Sequence, residues 1–225
     1  MSATQRDRLS ELSYTLVSDG SSDAGLIPIL DWLLEANGVA CAIQGVWADL
    51  RRLPRPPASL STRIGTAVEL FPCELLFVHR DAEREPYDSR RNEVREALAA
   101  ATFGGIRQPV CVCVIPVRMR EAWLLFDENA IRRAAGNPSG RVPLELPALR
   151  RCEELPDPKD LLNKLIVEAS ELGARRREKL PVSQMAHRVA EFIQDFRPLR
   201  GLSAFATLER EIQDAISANA WDRRR

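Results

Sequence analysis

Two short apolar runs, each broken off by acidic residues, set the first constraint on this chain. Residues 14–17 (YTLV) stop at Ser18-Asp19-Gly20, with Asp23 just beyond, and residues 74–78 (ELLFV) stop at His79-Arg80-Asp81-Ala82-Glu83. An apolar run of four or five residues that ends at turn-forming and charged residues reads as a buried strand. Residues 39–47 and 110–117 supply two further apolar runs, the last nearly continuous in Val, Cys and Ile, as expected of a strand covered on both faces.

Helical spacing separates these runs. Leu26, Ile29, Leu30, Leu33 and Leu34 follow the three-four period and stop at Asn37-Gly38, and residues 89–101 are rich in Arg, Glu and Ala. The first helix starts between Asp23, a possible cap, and Ile27, since Pro28 is best tolerated in a first turn. Residues 51–61, with Pro54, Pro56 and Pro57, read as an exposed loop. Strands alternating with helices predict an α/β fold, a parallel sheet flanked by helices over residues 12–118.

Beyond that core the chain turns helical, and residues 119–225 are expected to form a helical extension packed on it. Short helices are predicted at 121–126 and 128–135, and Asp157-Pro158-Lys159 opens another with an acidic cap and proline at the first helical position. Two more stripes follow, Met185, Val189, Phe192, Ile193, Phe196 and then Phe205, Leu208, Ile212, Ile216.

Composition narrows the classes of function without choosing one. Lys plus Arg equals Asp plus Glu at 32 each, so bulk charge argues neither for nor against a nucleic-acid partner. Five scattered cysteines without a CxxC pair, and only two histidines, argue against a zinc site or a disulfide framework. Apolar runs fall short of the roughly 20 residues that a membrane span needs, and the polar start has no signal-peptide core. A cytoplasmic protein without membrane association is expected, with homo-oligomerisation left open. Gly-rich phosphate-binding loops are absent, so the chain is not expected to hydrolyse ATP itself.

Chemistry concentrates at the two acidic strand ends. In a parallel sheet, sites form at the carboxyl ends of strands, which is where Asp19, Asp23, Asp81 and Glu83 fall. Clustered carboxylates repel unless a cation sits among them, and oxygen ligands suit Mg²⁺ or Mn²⁺. Asp81 and Glu83, two apart, project to one side if that segment is extended. Asp19 and Asp23 also fit a plain turn followed by a helix cap. Glu121 lies just past the fourth run, as a further ligand or base, or as a helix-start glutamate favoured by the dipole. His79 reads as a satisfied or exposed histidine, and Trp123 as core. Arg84, Arg90 and Arg91, just after the acidic site, are candidates for holding nucleic-acid phosphates, although such clusters are more often solvated faces.

An acidic-Gly-x-Ser-Asp element at the first strand, paired with acidic-x-acidic at a later one, resembles the Toprim superfamily, which includes catalytic domains of topoisomerases, primases and OLD-type nucleases. The family pattern places Glu where Asp19 stands and a second Asp where Glu83 stands. It implies a Rossmann-like sheet, Mg²⁺ at the acidic pair and acid-base chemistry at the first strand end. The stretches 78–83, 115–127 and 157–159 also resemble an uncharacterised bacterial family of Toprim-like proteins associated with phage defence and mobile elements. Together with the acidic strand ends, these resemblances lead to the expectation of a Mg²⁺-dependent nuclease with catalytic Asp19, Asp81 and Glu121 and metal ligands Asp81, Glu83, Asp19 and Asp23, with an ATPase as a candidate partner. The alternative is a Toprim-like module without chemistry, a nucleotide-sensing or partner-binding subunit, which the shorter Asp19 side chain favours.

Overall fold

The structure is a computed structural model and describes residues 10–83 and 85–222. Four strands, β1 (Glu11–Val17), β2 (Ala42–Trp47), β3 (Leu75–His79) and β4 (Val110–Val114), form one sheet in the order β2-β1-β3-β4. Every pairing is parallel, with Leu16 opposite Phe77 and Phe77 opposite Val112. The chain leaves β1 for β2 on one side and then returns to β3 on the other. That reversal makes the carboxyl ends of β1 and β3 the topological switch point, where parallel α/β sheets hold their ligands.

Among the described residues, eight α-helices accompany the sheet: α1 (Ile27–Ala36), α2 (Leu60–Leu70), α3 (Tyr87–Ala100), α4 (Glu128–Ala134), α5 (Pro158–Ala169), α6 (Ala174–Arg177), α7 (Val182–Phe192) and α8 (Ser203–Asn219). Alternation along the strands sorts the core into two layers. Leu12, Tyr14, Leu16, Leu75, Phe77, Val112 and Val114 pack with α1 and with the later helices through Leu162, Ile166, Val189, Phe205 and Ile212. On the opposite face Val17, Leu76, Val78 and Cys113 meet Ile64, Ala67 and Val68 of α2 and Val94 of α3. The C-terminal helices therefore complete the first layer. No helix among the described residues is long and apolar enough to cross a membrane.

Local chemistry accounts for most boundaries. The Asp157 carboxylate accepts the Asp160 N–H at 2.8 Å and Pro158 follows at the first helical position, so α5 starts where the sequence predicts. Helix α2 escapes the sequence reading. Its apolar positions Leu60, Ile64, Ala67 and Val68 keep helical spacing, but Ser, Thr and Gly between them dilute the signal, and the prolines before it suggest a long loop. The Ser59 hydroxyl, accepting the Thr62 N–H at 3.1 Å, starts it. Strand β4 stops at Val114, three residues short of the expected end, because Pro116 has no N–H to give. The Pro116 carbonyl still accepts from the Ala82 N–H at 3.0 Å and tethers the chain just past Asp81.

Candidate active site at the carboxyl ends of β1 and β3

The two layers divide the acidic residues between them. Alternation puts His79 on the face of Leu75 and Phe77, towards the later helices, and Arg80 on the face of Leu76 and Val78, towards α2 and α3.

On the first side, Asp23, His79 and Asp81 form a line. His79 is buried, with Nδ1 3.5 Å from Asp23 Oδ2 and Nε2 3.3 Å from Asp81 Oδ1. Asp23 lies in the 3-10 turn Ser21–Leu26 and accepts the Gly20 N–H at 2.8 Å, and its contact with His79 ties the turn after β1 to the end of β3. Behind Asp23 lies Arg120, only 2% exposed, with Nε 3.7 Å from Asp23 Oδ1 and Nη2 3.4 Å from Glu121 Oε1. Gly25 makes room for it, since a Cβ there would stand 2.7 Å from Arg120 Nη1.

These are long ion pairs, not aligned hydrogen bonds. Among the described residues, none of the guanidinium nitrogens of Arg120, nor either ring nitrogen of His79, has a partner in good hydrogen-bond geometry. Burial alone favours neutral forms, but the charges outweigh it. Burial pulls the His79 pKa down, yet the Asp23 and Asp81 carboxylates on either side of the ring raise it to about 9. Burial likewise pushes Asp23 up, while His79, the Gly20 N–H and Arg120 bring it down to about 2. On this pattern His79 is an imidazolium held between two carboxylates. His187 of α7 moves the other way, lowered by burial and then by the Arg120 charge. A fold gains little from such a network, because an apolar replacement of a buried ion pair is often neutral or stabilising. Imperfectly compensated buried charge at a strand-end crevice is instead characteristic of functional sites.

On the second side, Asp19 is clamped by Arg63 of α2 and by Arg80, which also bonds Glu93 at 2.8 Å. Asp19 remains 47% exposed at its side chain. It does not share partners with Asp81. Glu83 is exposed and takes a left-handed backbone at φ 55°, so the chain turns there and the extended alternation that would align Glu83 with Asp81 ends first. Glu121 is buried beside Arg120 in the 3-10 turn Arg120–Leu124.

The arginines predicted to hold phosphates are engaged within the protein. Arg90 pairs with Glu93 at 2.9 Å and Arg91 with Glu211 of α8 at 3.1 Å. Arg84 lies outside the described residues. Arg63, Arg80 and Arg120 surround the acidic residues instead, and sequence reasoning singled out none of them for the site. Arg63 sits in the missed helix, whereas Arg120 carried a signal, a charged pair inside the apolar stretch 119–126.

The donor set fits one kind of cation better than another. Among the described residues no three His, Cys, Asp or Glu side chains are grouped to hold a metal ion, so a complete protein cage is not preformed. Magnesium commonly takes only one or two carboxylates and completes its shell with water and substrate phosphates. Asp81 suits that role: its side chain is 35% exposed and Oδ1 faces His79. No protein family, curated protein or solved structure matches the chain.

Proposed function

We propose that this chain is a divalent-cation-dependent phosphodiesterase acting on DNA or RNA. The observation that carries the reading is the Asp23–His79–Asp81 line at the switch point, a buried device that holds one solvent-reaching carboxylate in place. Asp81 would hold Mg²⁺ or Mn²⁺ together with water and substrate oxygens, and Glu83, turned out of the extended backbone, is left out of that shell. When bound, such an ion polarises a phosphate and makes water a nucleophile near neutral pH.

The chain's own residues do the rest. His79 fixes the orientation of Asp81, and Asp23 fixes His79, as outer-shell partners do for metal-bound carboxylates. Arg120 and Glu121 act through Asp23, so Glu121 is a positioning residue in this reading. Arg63 and Arg80 hold the Asp19 carboxylate as two guanidiniums would hold a phosphate oxygen. An incoming phosphate can replace that carboxylate, releasing Asp19 for metal binding or proton transfer. The resemblance to Toprim nucleases supports the same chemistry, and the phage-defence resemblance supports a partner ATPase.

A second reading, a nucleotide-sensing or partner-binding module without chemistry, is favoured by the clamp on Asp19. The test is incubation of the purified chain with DNA and with RNA in Mg²⁺ or Mn²⁺, alone and with an ATPase encoded beside it, comparing wild type with Asp81→Ala. Cleavage by wild type only supports the phosphodiesterase. Equal cleavage by both exposes a contaminant, and none under any condition moves the reading to the module.

A further inference from the structure

A cavity of about 670 Å³, lined by Ala82 and Glu83 next to Asp81 in the chain, opens between the turn after β3, the segment after β4 and the first turn of α8. Its volume lies in the range of small-molecule sites, roughly 300–1,000 Å³. Ala82, Ile115, Val117 and Ala204 give it apolar walls, and the Tyr87 ring forms another. That ring is fixed in advance, because the Tyr87 hydroxyl donates to Glu211 Oε1 at 3.0 Å.

The polar groups of the cavity decide what it can take. The α8 N-terminus, otherwise its best anion site, is filled: Glu153 accepts from the Ser203 N–H at 3.0 Å, the Ser203 hydroxyl at 2.8 Å and the Ala204 N–H at 3.1 Å. Glu83 and Glu85 stand exposed at the rim and supply hydrogen-bond acceptors there. Arg118 forms no ion pair among the described residues. Apolar and aromatic walls with acceptors at the rim suit a flat, uncharged ring that carries N–H donors, and a single arginine suits one phosphate attached to it.

We infer that this cavity is a nucleoside subsite, receiving the base and sugar next to the phosphate that is presented to Asp81. The choice of a nucleoside over other flat, donor-bearing rings rests on the phosphodiesterase reading. The base lies against Tyr87, Ile115 and Val117, its N–H groups face the rim carboxylates, and its 5′-phosphate reaches Arg118.

The test is calorimetric titration of the full chain with the four ribonucleosides and their 5′-monophosphates, without metal. Wild type should bind at least one nucleoside, and its monophosphate more tightly. Thr207→Trp, which fills the cavity from the α8 surface, should weaken both at least tenfold. Arg118→Ala should weaken the monophosphate several-fold and leave the nucleoside unchanged, and it keeps the test decisive if the tryptophan variant misfolds. Absence of nucleoside binding, or binding that neither substitution alters, overturns the subsite. Cleavage that persists without nucleoside binding would remove the subsite alone. Nucleoside binding without cleavage would keep the subsite and remove the phosphodiesterase.

Discussion

His79 Nδ1 lies 3.5 Å from Asp23 Oδ2, so a buried ion pair joins the end of β3 to the turn after β1. Stability should therefore depend on pH in two windows. His79 is raised to about 9, so its contribution is fully present below its unfolded value of about 6.5 and is lost as pH rises through about 9. Asp23 is lowered to about 2, so its contribution is present above about 4 and is lost as pH falls through about 2. Thermal melts should show a plateau between about pH 4 and pH 6.5 and a decline of roughly 3 kcal/mol on the alkaline side. His79→Phe should flatten that decline. An unchanged alkaline slope in the variant would remove His79 from the account.

Arg120 is the counter-charge for two buried carboxylates, Asp23 and Glu121. Arg120→Met should destabilise by roughly 3–5 kcal/mol, since removing one member of a buried network leaves the others uncompensated. Urea unfolding measures the loss, and adding Glu121→Gln should recover part of it. A single substitution costing less than about 1 kcal/mol would mean that water already solvates these groups.

The clamp on Asp19 differs in that the carboxylate is half exposed, although Arg63 and Arg80 are largely covered, so that losing one arginine leaves Asp19 solvated. Arg63→Ala should change stability by less than about 1 kcal/mol, as surface ion pairs do. In the phosphodiesterase reading the same substitution should weaken oligonucleotide binding and reduce its dependence on salt. Filter binding across a salt series reads both, and identical curves for wild type and variant would exclude Arg63 from phosphate contact.

How legible these features were in the sequence differs between fold and site. The parallel sheet follows from strand-length apolar runs separated by helical spacing, and the acidic strand ends locate the crevice, since short-range pattern encodes both. Grouping is different, because it depends on which face each side chain takes. His79 and Arg80 are neighbours in sequence, yet they engage Asp23 and Asp19 respectively. Spacing could not show that Arg63 reaches Asp19 from an unpredicted helix, or that Glu83 leaves the extended backbone two residues after Asp81.

Gly45 in β2 lies under the Tyr14 ring, and a Cβ there would fall 2.3 Å from Tyr14 Cζ and Oη. The Tyr14 hydroxyl donates to Asp31 Oδ1 at 2.7 Å, which ties β1 to α1. Gly45→Val should cost roughly 1–3 kcal/mol by overpacking. Tyr14→Leu in the same background should cost less than it does alone, a coupling that a double-mutant cycle in urea detects.

In the proposed function Asp81, held by His79, shares a divalent cation with substrate phosphate. Mn²⁺ binding measured by electron paramagnetic resonance, with and without a cleavage-resistant phosphorothioate oligonucleotide, addresses it most directly. In wild type the oligonucleotide should tighten Mn²⁺ binding at least tenfold, because it supplies the missing ligands. Asp81→Asn should abolish that gain while the melting temperature in metal-free buffer stays within a few degrees. Equal Mn²⁺ binding by wild type and Asp81→Asn, with oligonucleotide present, would contradict the account.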